Sequence, residues 1–441
     1  MADVRPFPGI RYAEGTDLAR VVTPPYDVIA PDAQQRYYER DPHNIIRLEL
    51  GVSQPSDDEL DNVYSRAAVT FAEWRLQQVM RQDAPALYAY EQRFTVDGRP
   101  YTKRSLLARV RLEPWEAGVV LPHEFTLSKP KEDRLNLLRA CAANLSPLMA
   151  LYDDPDAALD ALLRPRTDQP PAADFTDENG EGHRLWPLHD DALAAAVADF
   201  FHDRQLFIAD GHHRYETALA YRDELPAQRK VSALAPDDAA NFTLMALSAL
   251  DDPGLVVLPT HRMLRDLDPL RVAELGRNMS PYFTAAPLDA ETPEAFVAAL
   301  AEAGASGQTA FVVAGPNGSL LLTLLSAGRA AMDDLPGEHA TASAAWRSLD
   351  LAILHELVLR RGLGITDEQV RAGEHVSYTR AADAALASVR ERADGTRLAV
   401  LVNATPPTAI RDVALAGDRM PQKSTYFYPK LITGLVINPV W

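Results

Sequence analysis

Apolar residues recur at helical spacing in several stretches of the chain. Between residues 57 and 82, Leu, Val, Ala, Phe and Trp alternate with charged residues, and this period predicts a helix. The Ala-rich run 190–201 and the run 215–224 predict two more helices. The same spacing predicts helices in the second half of the chain, around residues 268–277, 292–304, 343–361 and 380–392.

Other stretches predict β-strands, some of them joined by tight turns. Residues 86–96 and 99–112 flank Asp97-Gly98, a dipeptide that tolerates the positive φ values of a type I′ hairpin turn. Residues 309–313 and 319–325 predict a second hairpin with a longer loop. Short apolar runs predict strands at 206–209 and 398–403. Helices mixed with hairpins predict an α+β fold, with mixed sheets and flanking helices.

The length of 441 residues predicts more than one structural lobe. We place an N-terminal lobe, which contains the candidate phosphate-binding residues described below, over residues 1–230. A C-terminal α+β lobe covers residues 231–441, and we expect its final segment, 420–441, to return to those phosphate-binding residues. The start of the chain is interpreted as loop, short helix and strand, with the strand in the run 44–50. The Pro-rich and Asp-rich passage 164–174 is interpreted as a surface loop.

Composition and charge narrow the classes of function. The chain has 62 acidic and 44 basic residues, for a formal charge of −18, which disfavours nucleic acid as a partner. The single cysteine, Cys141, excludes an intramolecular disulfide and a thiolate zinc cluster. The start of the chain lacks a basic segment followed by an apolar run, and no long apolar stretch follows. We therefore expect a cytoplasmic protein that acts on a small molecule, without a membrane partner.

Residues 207–217 carry the densest chemistry, because an apolar strand runs into Asp210-Gly211 and then opens a helix with His212, His213 and Arg214 in its first turn. The N–H groups at a helix N-terminus favour an anion, Gly lets the backbone approach it, and Arg adds a bidentate fork. His213 could take part in proton transfer. Alternatively, Asp210 caps the helix and the two imidazoles pack or face solvent. Adjacent histidines on a helix diverge by about 100°, which disfavours chelation of one metal ion.

Three further segments contain candidate site residues. Residues 123–134 concentrate positive charge in an acidic chain, and His123-Glu124 offers an acid/base pair or a magnesium-bound carboxylate. Residues 420–430 combine two lysines with hydroxyl side chains, and residues 23–28 hold Asp27 after two prolines, where it suits a base or a turn acceptor. A solvated helix start and a closing strand are the structural alternatives for the first two segments. The candidate phosphate-binding cations of these segments are Lys129, Lys131, Arg134, Lys423 and Lys430.

Sequence blocks at 5–12, 24–29, 128–135, 143–147, 209–219, 259–262 and 421–430 together resemble one family, which is catalogued as domain of unknown function ten-fifteen. The resemblance spans residues 4–440, but the family name implies no activity. More remotely, residues 210–214 resemble the phosphate-binding signature of the ParB and sulfiredoxin superfamily, which includes free-serine kinases. That resemblance implies a phosphate-binding strand-loop-helix element in which Gly211, His212, His213 and Arg214 cradle the phosphate. The blocks also supply the candidate substrate-binding residues Tyr26, Asn144, Ser146 and Ser424.

These inferences lead to the hypothesis of a phosphotransferase acting on a small hydroxylated metabolite, with serine or phosphoserine as the candidate. The donor or acceptor would be a nucleotide or pyrophosphate with Mg²⁺ carried by the phosphates, or bound by Glu124. Asp27 is the first candidate for the base that takes the hydroxyl proton, and Glu124 is the second. The alternatives are a metal-dependent phosphoester hydrolase using His212 or His213, and a non-catalytic regulator that binds a nucleotide or another effector.

Overall fold

The structure is a computed structural model that describes residues 1–126, 128–290, 292–391 and 395–441, without the side chains of residues 128–130. The chain divides into two compact units. The first unit comprises Met1–Pro122, Thr126–Val256 and Pro429–Trp441, and the second comprises His123–Phe125 and Val257–Tyr428. None of the described helices is long and apolar enough to cross a membrane.

The described residues form short and long strands in both units. In chain order they are β1 Val4–Arg5, β2 Ile10–Tyr12, β3 Met80–Gln82, β4 Leu87–Val96, β5 Arg99–Arg111, β6 Val120–Leu121, β7 Ala143–Asn144, β8 Leu148–Tyr152, β9 Ala173–Thr176, β10 Gly182–Leu188, β11 Leu206–Asp210, β12 Phe242–Ala249, β13 Val256–Val257, β14 His261–Leu264, β15 Phe283–Pro287, β16 Ala310–Gly315, β17 Gly318–Leu324, β18 Val376–Thr379, β19 Leu398–Leu401, β20 Phe427–Tyr428 and β21 Asn438–Pro439.

Helices separate most of these strands. The α-helices are α1 Leu18–Val21, α2 Pro31–Arg40, α3 Ile46–Glu49, α4 Val63–Leu76, α5 Ser128–Cys141, α6 Ala158–Thr167, α7 Asp191–His202, α8 His212–Arg229, α9 Pro269–Ala273, α10 Leu275–Met279, α11 Pro293–Ala305, α12 Ser326–Asp333, α13 Ala344–Ser348, α14 Asp350–Ile353, α15 Asp367–Ala372, α16 Ala382–Arg390 and α17 Pro407–Leu415. The 3₁₀ turns are Tyr26–Val28, Trp115–Ala117, Ala239–Asn241 and Gly337–His339, and a π-helix covers Leu354–Leu363. This mixture confirms the α+β prediction.

The first unit is built on a mixed sheet in the order β6-β11-β8-β12-β5-β4-β10-β9, with β1 also paired to β5. The central hairpin β4–β5 turns at Asp97 and Gly98, whose φ values of 49° and 74° are those of a type I′ turn. The predicted hairpin is therefore confirmed. Buried side chains from β5, β8, β11 and β12 form the main core with helices α7 and α8, and Cys141 is buried in a second cluster.

The second unit contains a six-stranded sheet within the described residues, in the order β15-β17-β16-β19-β14-β18. Its β16–β17 pairing runs as far as Gly315 opposite Gly318, so that the loop between the two strands has two residues rather than the longer loop expected. Helices α11 and α16 pack against β16 and β19, and their apolar side chains form the core of this sheet.

The boundary between the units differs from the division at residue 230. Strand β12 is hydrogen-bonded between β5 and β8 of the first sheet, so that the first unit extends to Val256. Of the segment 420–441, Pro429–Trp441 joins the first unit, while residues 420–428 belong to the second.

Two local predictions are wrong. The run 44–50 contains helix α3 instead of a strand, because the Asn44 side chain accepts a hydrogen bond from the Ile46 amide and closes a helical turn there. The passage 164–174 is not a continuous loop. Helix α6 continues through Pro165, and β9 begins at Ala173, where it pairs with β10.

Candidate anion-binding site

The strand-to-helix corner of the first unit lies between β11 and α8. Gly211 joins the two elements with a φ of +96°, a conformation that side-chain-bearing residues rarely adopt. A Cβ at this position would lie 2.6 Å from Leu148 Cδ2 and 2.9 Å from Arg214 Nη2, so that the packing also requires glycine. Within the described residues, no side chain caps the N-terminus of α8. The corner therefore keeps the geometry in which backbone N–H groups can receive an anion.

Asp210, the last residue of β11, is paired with two cations. Its carboxylate accepts hydrogen bonds from the ammonium of Lys430 and, at 2.9 Å, from Nη2 of Arg214. Burial would raise the pKa of Asp210, but Lys430 and Arg214 outweigh that effect and hold its pKa well below the usual range. Asp210 is therefore an ionised acceptor that fixes two positive side chains at the start of α8.

Arg214 is held by protein oxygens on its other side as well. Its Nη1 donates to Ser146 Oγ at 3.0 Å and to the Pro147 carbonyl at 2.7 Å. The guanidinium thus positions the segment before β8. Both of its terminal nitrogens already donate hydrogen bonds to protein oxygens. A phosphate at the corner would have to compete with these oxygens for Arg214, or use the opposite edge of the group.

A second buried cation, Arg134 on α5, lies against Glu49. Arg134 Nη1 lies 3.4 Å from Glu49 Oε1 and donates to the Glu49 carbonyl at 3.0 Å. Ser146 Oγ also donates to Glu49 Oε1, at 3.2 Å, and so links Glu49 to Arg214. Burial raises the pKa of Glu49, and Arg134 and Arg214 oppose that rise. The two arginines, the serine and the glutamate form one continuous polar network.

Tyr26 and Asp27 lie on the outer side of this network. The guanidinium of Arg134 stacks 4.0 Å from the centre of the Tyr26 ring. The pKa of Tyr26 is raised to about 12, because burial outweighs the opposing charges of Arg214 and Arg134, and these charge effects place the ring near both arginines. Asp27 is exposed, and its charge acts on both Tyr26 and Glu49. The structure therefore brings Asp27 close to the polar network, with its carboxylate open to solvent.

A cavity of about 40 Å³ lies beside the network. It is lined by further polar and apolar side chains of the first unit as well as by Glu49, Arg134, Asn144, Ser146 and Arg214. A cavity of this size holds a few water molecules at most. A nucleotide does not fit inside it, so that a phosphorylated ligand of this site would have to lie on the open side of the α8 N-terminus.

The final segment of the chain holds Lys430 in place through two buried residues of the β4–β5 hairpin. Lys103 Nζ donates to the Pro429 carbonyl at 2.8 Å, and Gln92 Nε2 donates to the Lys430 carbonyl at 3.0 Å. Burial, and after it the nearby charge of Lys430, lower the pKa of Lys103 to about 7. These contacts fix the backbone on both sides of the Lys430 ammonium.

Sequence reasoning missed Glu49, Gln92 and Lys103. Glu49 is a charged residue within an otherwise apolar run, and Lys103 is a charged residue at an inward-facing position of a strand. Such a buried charge is the sequence feature that could have marked them as candidates. An isolated charge in an apolar pattern does not reveal its partner, however, so that the pattern alone could not have placed these residues at the site.

The other candidates of the first unit have structural partners. Lys131 pairs with Glu216 at 2.9 Å. Asn144 Oδ1 accepts from the Leu244 amide at 3.0 Å and from Asn438 Nδ2 at 2.8 Å, which joins β7 to β12 and β21. His212 is buried and His213 is half-buried in the first turn of α8, and the charge of His212 contributes to the lowered pKa of Asp210. The side chain of Lys129 lies outside the described residues.

Glu124, Lys423 and Ser424 belong to the second unit. Ser424 is buried, its hydroxyl donates to the Pro421 carbonyl, and its own carbonyl accepts from Thr405 Oγ1 at 2.8 Å. Lys423 has a φ of +56°, and its carbonyl accepts from Arg262 Nη2 at 3.4 Å. Glu124 is half-buried and contributes to the raised pKa of Tyr378. Ser424 and the Lys423 backbone thus stabilise a turn of this unit.

Comparison with known proteins gives a family for this chain. The family of proteins of unknown function termed DUF1015 matches residues 4–352. The chain belongs to the DUF1015 family. No curated protein matches this DUF1015 chain.

Solved structures similar to this DUF1015 protein include three of different description. A conserved hypothetical protein from Pyrococcus furiosus is 12% identical, with a TM-score of 0.33, over 74% of this chain and 92% of that chain. A free serine kinase in complex with AMP is 13% identical, with a TM-score of 0.33, over 73% of this chain and 86% of that chain. SbnI with a C-terminal truncation, from Staphylococcus aureus, is 9% identical, with a TM-score of 0.34, over 74% of this chain and 85% of that chain. These TM-scores are too low to establish a common fold.

Proposed function

We propose that this DUF1015 protein is a phosphotransferase that moves a phosphoryl group between a nucleotide or pyrophosphate and a small hydroxylated metabolite of the serine class. The observation that carries the proposal is the pairing of Lys430 and Arg214 on Asp210 at the N-terminus of α8. Two cations on one carboxylate leave a net positive charge where the helix dipole also favours an anion.

The cations and the helix N-terminus suit the electrostatic part of phosphoryl transfer. The reaction spreads negative charge over the phosphoryl oxygens, and its catalysis depends mainly on positioning and charge stabilisation. An incoming phosphate would take the place of Asp210 oxygens around the Lys430 ammonium and accept hydrogen bonds from the amides of α8. The network of Glu49, Arg134 and Ser146 would keep Arg214 in place during this exchange.

Asp27 is the proposed base for the acceptor hydroxyl. It is exposed beside Tyr26, on the side of the arginine network that faces solvent, so that a small metabolite can reach it. A carboxylate at this position can accept the hydroxyl proton while the arginines hold the phosphoryl group. Asp210 is unsuited to the same role, because its oxygens already accept from Lys430 and Arg214.

Mg²⁺ is proposed to arrive with the phosphates of the donor. The carboxylate nearest the corner, Asp210, is occupied by two cations, so that it offers no ready ligand to a protein-bound ion. Mg²⁺ commonly binds through substrate phosphates and keeps several of its waters. The ion would then neutralise phosphate charge, while the residues of the chain position the groups that react.

A direct transfer assay tests the proposal. The purified protein is incubated with Mg²⁺ and serine plus ATP, ADP or pyrophosphate, and in the reverse direction with phosphoserine plus AMP or phosphate, with products followed by ³¹P NMR and mass spectrometry. We expect phosphoryl transfer that requires both partners. Phosphate release from phosphoserine alone would favour the hydrolase, and no product with any pair would contradict the assignment.

Variants connect the activity to the site. Lys430→Met and Arg214→Ala should each lower kcat/KM at least 100-fold, because each removes a cation that stabilises the phosphoryl group. Lys230→Met and Arg139→Ala are the matched controls, since Lys230 is exposed and Arg139 forms an exposed ion pair with Glu224. Equal activity in Lys430→Met and Lys230→Met would show that the reaction occurs elsewhere.

A further inference from the structure

A cavity of about 220 Å³ lies within the second unit, apart from the residues used in the proposed function. One wall carries His339 at the end of the 3₁₀ turn Gly337–His339, and Asp367 at the start of α15. The π-helix Leu354–Leu363 also lines this cavity, through His355 and Glu356. Widened helical turns of this kind occur frequently at functional sites.

His339 is the centre of a cluster of potential metal ligands. Its Nε2 lies 3.4 Å from Glu356 Oε1, 3.4 Å from Asp367 Oδ2 and 3.7 Å from Glu338 Oε1. Glu338, His339 and Asp367 each offer a ligand atom within 4.8 Å of the others. The His339 ring is fixed by stacking on Trp346, with 4.5 Å between ring centres and 19° between planes. The imidazole nitrogen is therefore held at a defined point between carboxylates.

Two of the separations from His339 Nε2 match the separation of ligand atoms around one tetrahedral ion. Zinc binds imidazole nitrogen and carboxylate oxygen at about 2.1 Å, and a tetrahedron with bonds of that length places its ligand atoms about 3.4 Å apart. The contacts of His339 with Glu356 and Asp367 have this value, and its contact with Glu338 is slightly longer, at 3.7 Å. They exceed the 2.7–2.9 Å typical of charge-assisted hydrogen bonds.

His355 provides an independent observation. The residue is buried, with 6% of its surface exposed. Among the described residues, its Nε2 has no hydrogen-bond partner, although it lies in the wall of this polar cavity. A buried imidazole nitrogen is normally satisfied by a hydrogen bond or by a metal ion. A ligand in the cavity would satisfy it.

We propose that the second unit binds one Zn²⁺ ion in this cavity, with Glu338, His339 and Asp367 as ligands, and with Glu356 and His355 in the wall of the same cavity as the side chains available to complete the coordination. Imidazole nitrogens combined with carboxylates select zinc-like transition metals over Mg²⁺ and Ca²⁺, which prefer oxygen ligands alone. Arg360 lies 3.4 Å from Glu356 and 3.7 Å from Asp367, and its half-exposed side chain can turn towards solvent when the ion binds.

The competing interpretation is a protonated His339 held by the carboxylates without a metal. A second cluster, Asp177, Glu181 and His183 in the first unit, also places three ligand atoms within 4.8 Å of one another. The experiment therefore has to distinguish zinc at His339 from no zinc and from zinc at His183.

Metal-free protein is titrated with Zn²⁺ by calorimetry, and Co²⁺ is used as a spectroscopic probe of coordination. We expect one Zn²⁺ per chain and the intense visible absorption of four-coordinate Co²⁺. His339→Ala and Asp367→Asn should each weaken Zn²⁺ binding more than tenfold, whereas His202→Ala, which changes an exposed imidazole, should not. Thermal unfolding in a chelator verifies that the variants are folded, and Asp367→Asn retains the size of the side chain.

Three outcomes would overturn the proposal. Wild-type protein that binds no Zn²⁺ would favour the protonated His339. Binding that survives in both His339→Ala and Asp367→Asn would place the ion outside the cavity. Binding lost in His183→Gln but kept in His339→Ala would assign the ion to the cluster of the first unit.

Discussion

Lys103 offers a direct measurement of the electrostatics around Lys430. It is buried in β5 with 1% of its surface exposed, and burial followed by the charge of Lys430 lowers its pKa from 10.5 to about 7. Each unit of pKa corresponds to about 1.4 kcal/mol, so that charging Lys103 in the folded protein costs about 5 kcal/mol more than in the unfolded chain.

The sign of the effect on stability follows from proton binding. Between pH 7 and 10.5 the unfolded chain keeps the proton of Lys103 while the folded protein releases it. The contribution of this group to the free energy of unfolding therefore rises with pH across that window. Below pH 7 its destabilising effect is fully present. Lys103→Met should remove this pH dependence, which is measured by comparing urea unfolding of the variant and the wild type at pH 6 and pH 10.

NMR of lysines labelled with ¹³C gives the pKa itself. The chain has only six lysines, Lys103, Lys129, Lys131, Lys230, Lys423 and Lys430. The resonance missing in Lys103→Met identifies Lys103. We expect it to titrate near pH 7 in the wild type, and at a higher pH in Lys430→Met, because the like charge has been removed. Lys230→Met should leave it unchanged. A wild-type Lys103 that titrates at its ordinary value, or that ignores Lys430→Met, would refute this reasoning.

Three substitutions test the packing that supports the site. Gly211→Ala should destabilise the protein by more than about 2 kcal/mol, because backbone strain at positive φ adds to the close contact with Leu148. The control Gly118→Ala also has a positive φ but open space around the new Cβ, and it should cost only about 1 kcal/mol. Thermal unfolding measures both losses. Glu49→Gln should cost about 2 kcal/mol, because Arg134 loses its buried carboxylate partner and keeps only the partly exposed Asp133. A loss in the double variant with Arg134→Met that is smaller than the sum of the two single losses would be diagnostic of that pair, and additive losses would contradict it. Gly254→Ala places a Cβ 2.0 Å from a carbonyl oxygen of β5 and should abolish soluble expression; normal expression would show that the loop can move.

Much of the fold was predictable because its signals are local. The β4–β5 hairpin follows from Asp97-Gly98, two residues that accept positive φ, between strands of suitable length. The β11–α8 corner follows from an apolar run that ends in Asp-Gly before a helical period. The run 44–50 was mispredicted because its apolar residues suit either a strand or a short buried helix, and only the Asn44 side chain selects the helix.

The composition of the candidate site was predictable in part. Asp210, Gly211 and Arg214 form one motif in the sequence, and Lys430 was a candidate from its own segment. The residue types that suit an anion are thus visible in the sequence, since charge and backbone freedom are properties of each residue. The same holds for the acidic balance of the chain, which any fold would retain.

Only the tertiary structure decides which of these residues meet. Asp210 and Lys430 are 220 residues apart, and they pair because Lys103 and Gln92 of the central hairpin bind the carbonyls of Pro429 and Lys430. Glu49 became part of the network through Ser146 and Arg134, which lie on other elements. Periodicity and turn chemistry act over a few residues, whereas an ion pair depends on how distant segments pack, and no local pattern encodes that distance.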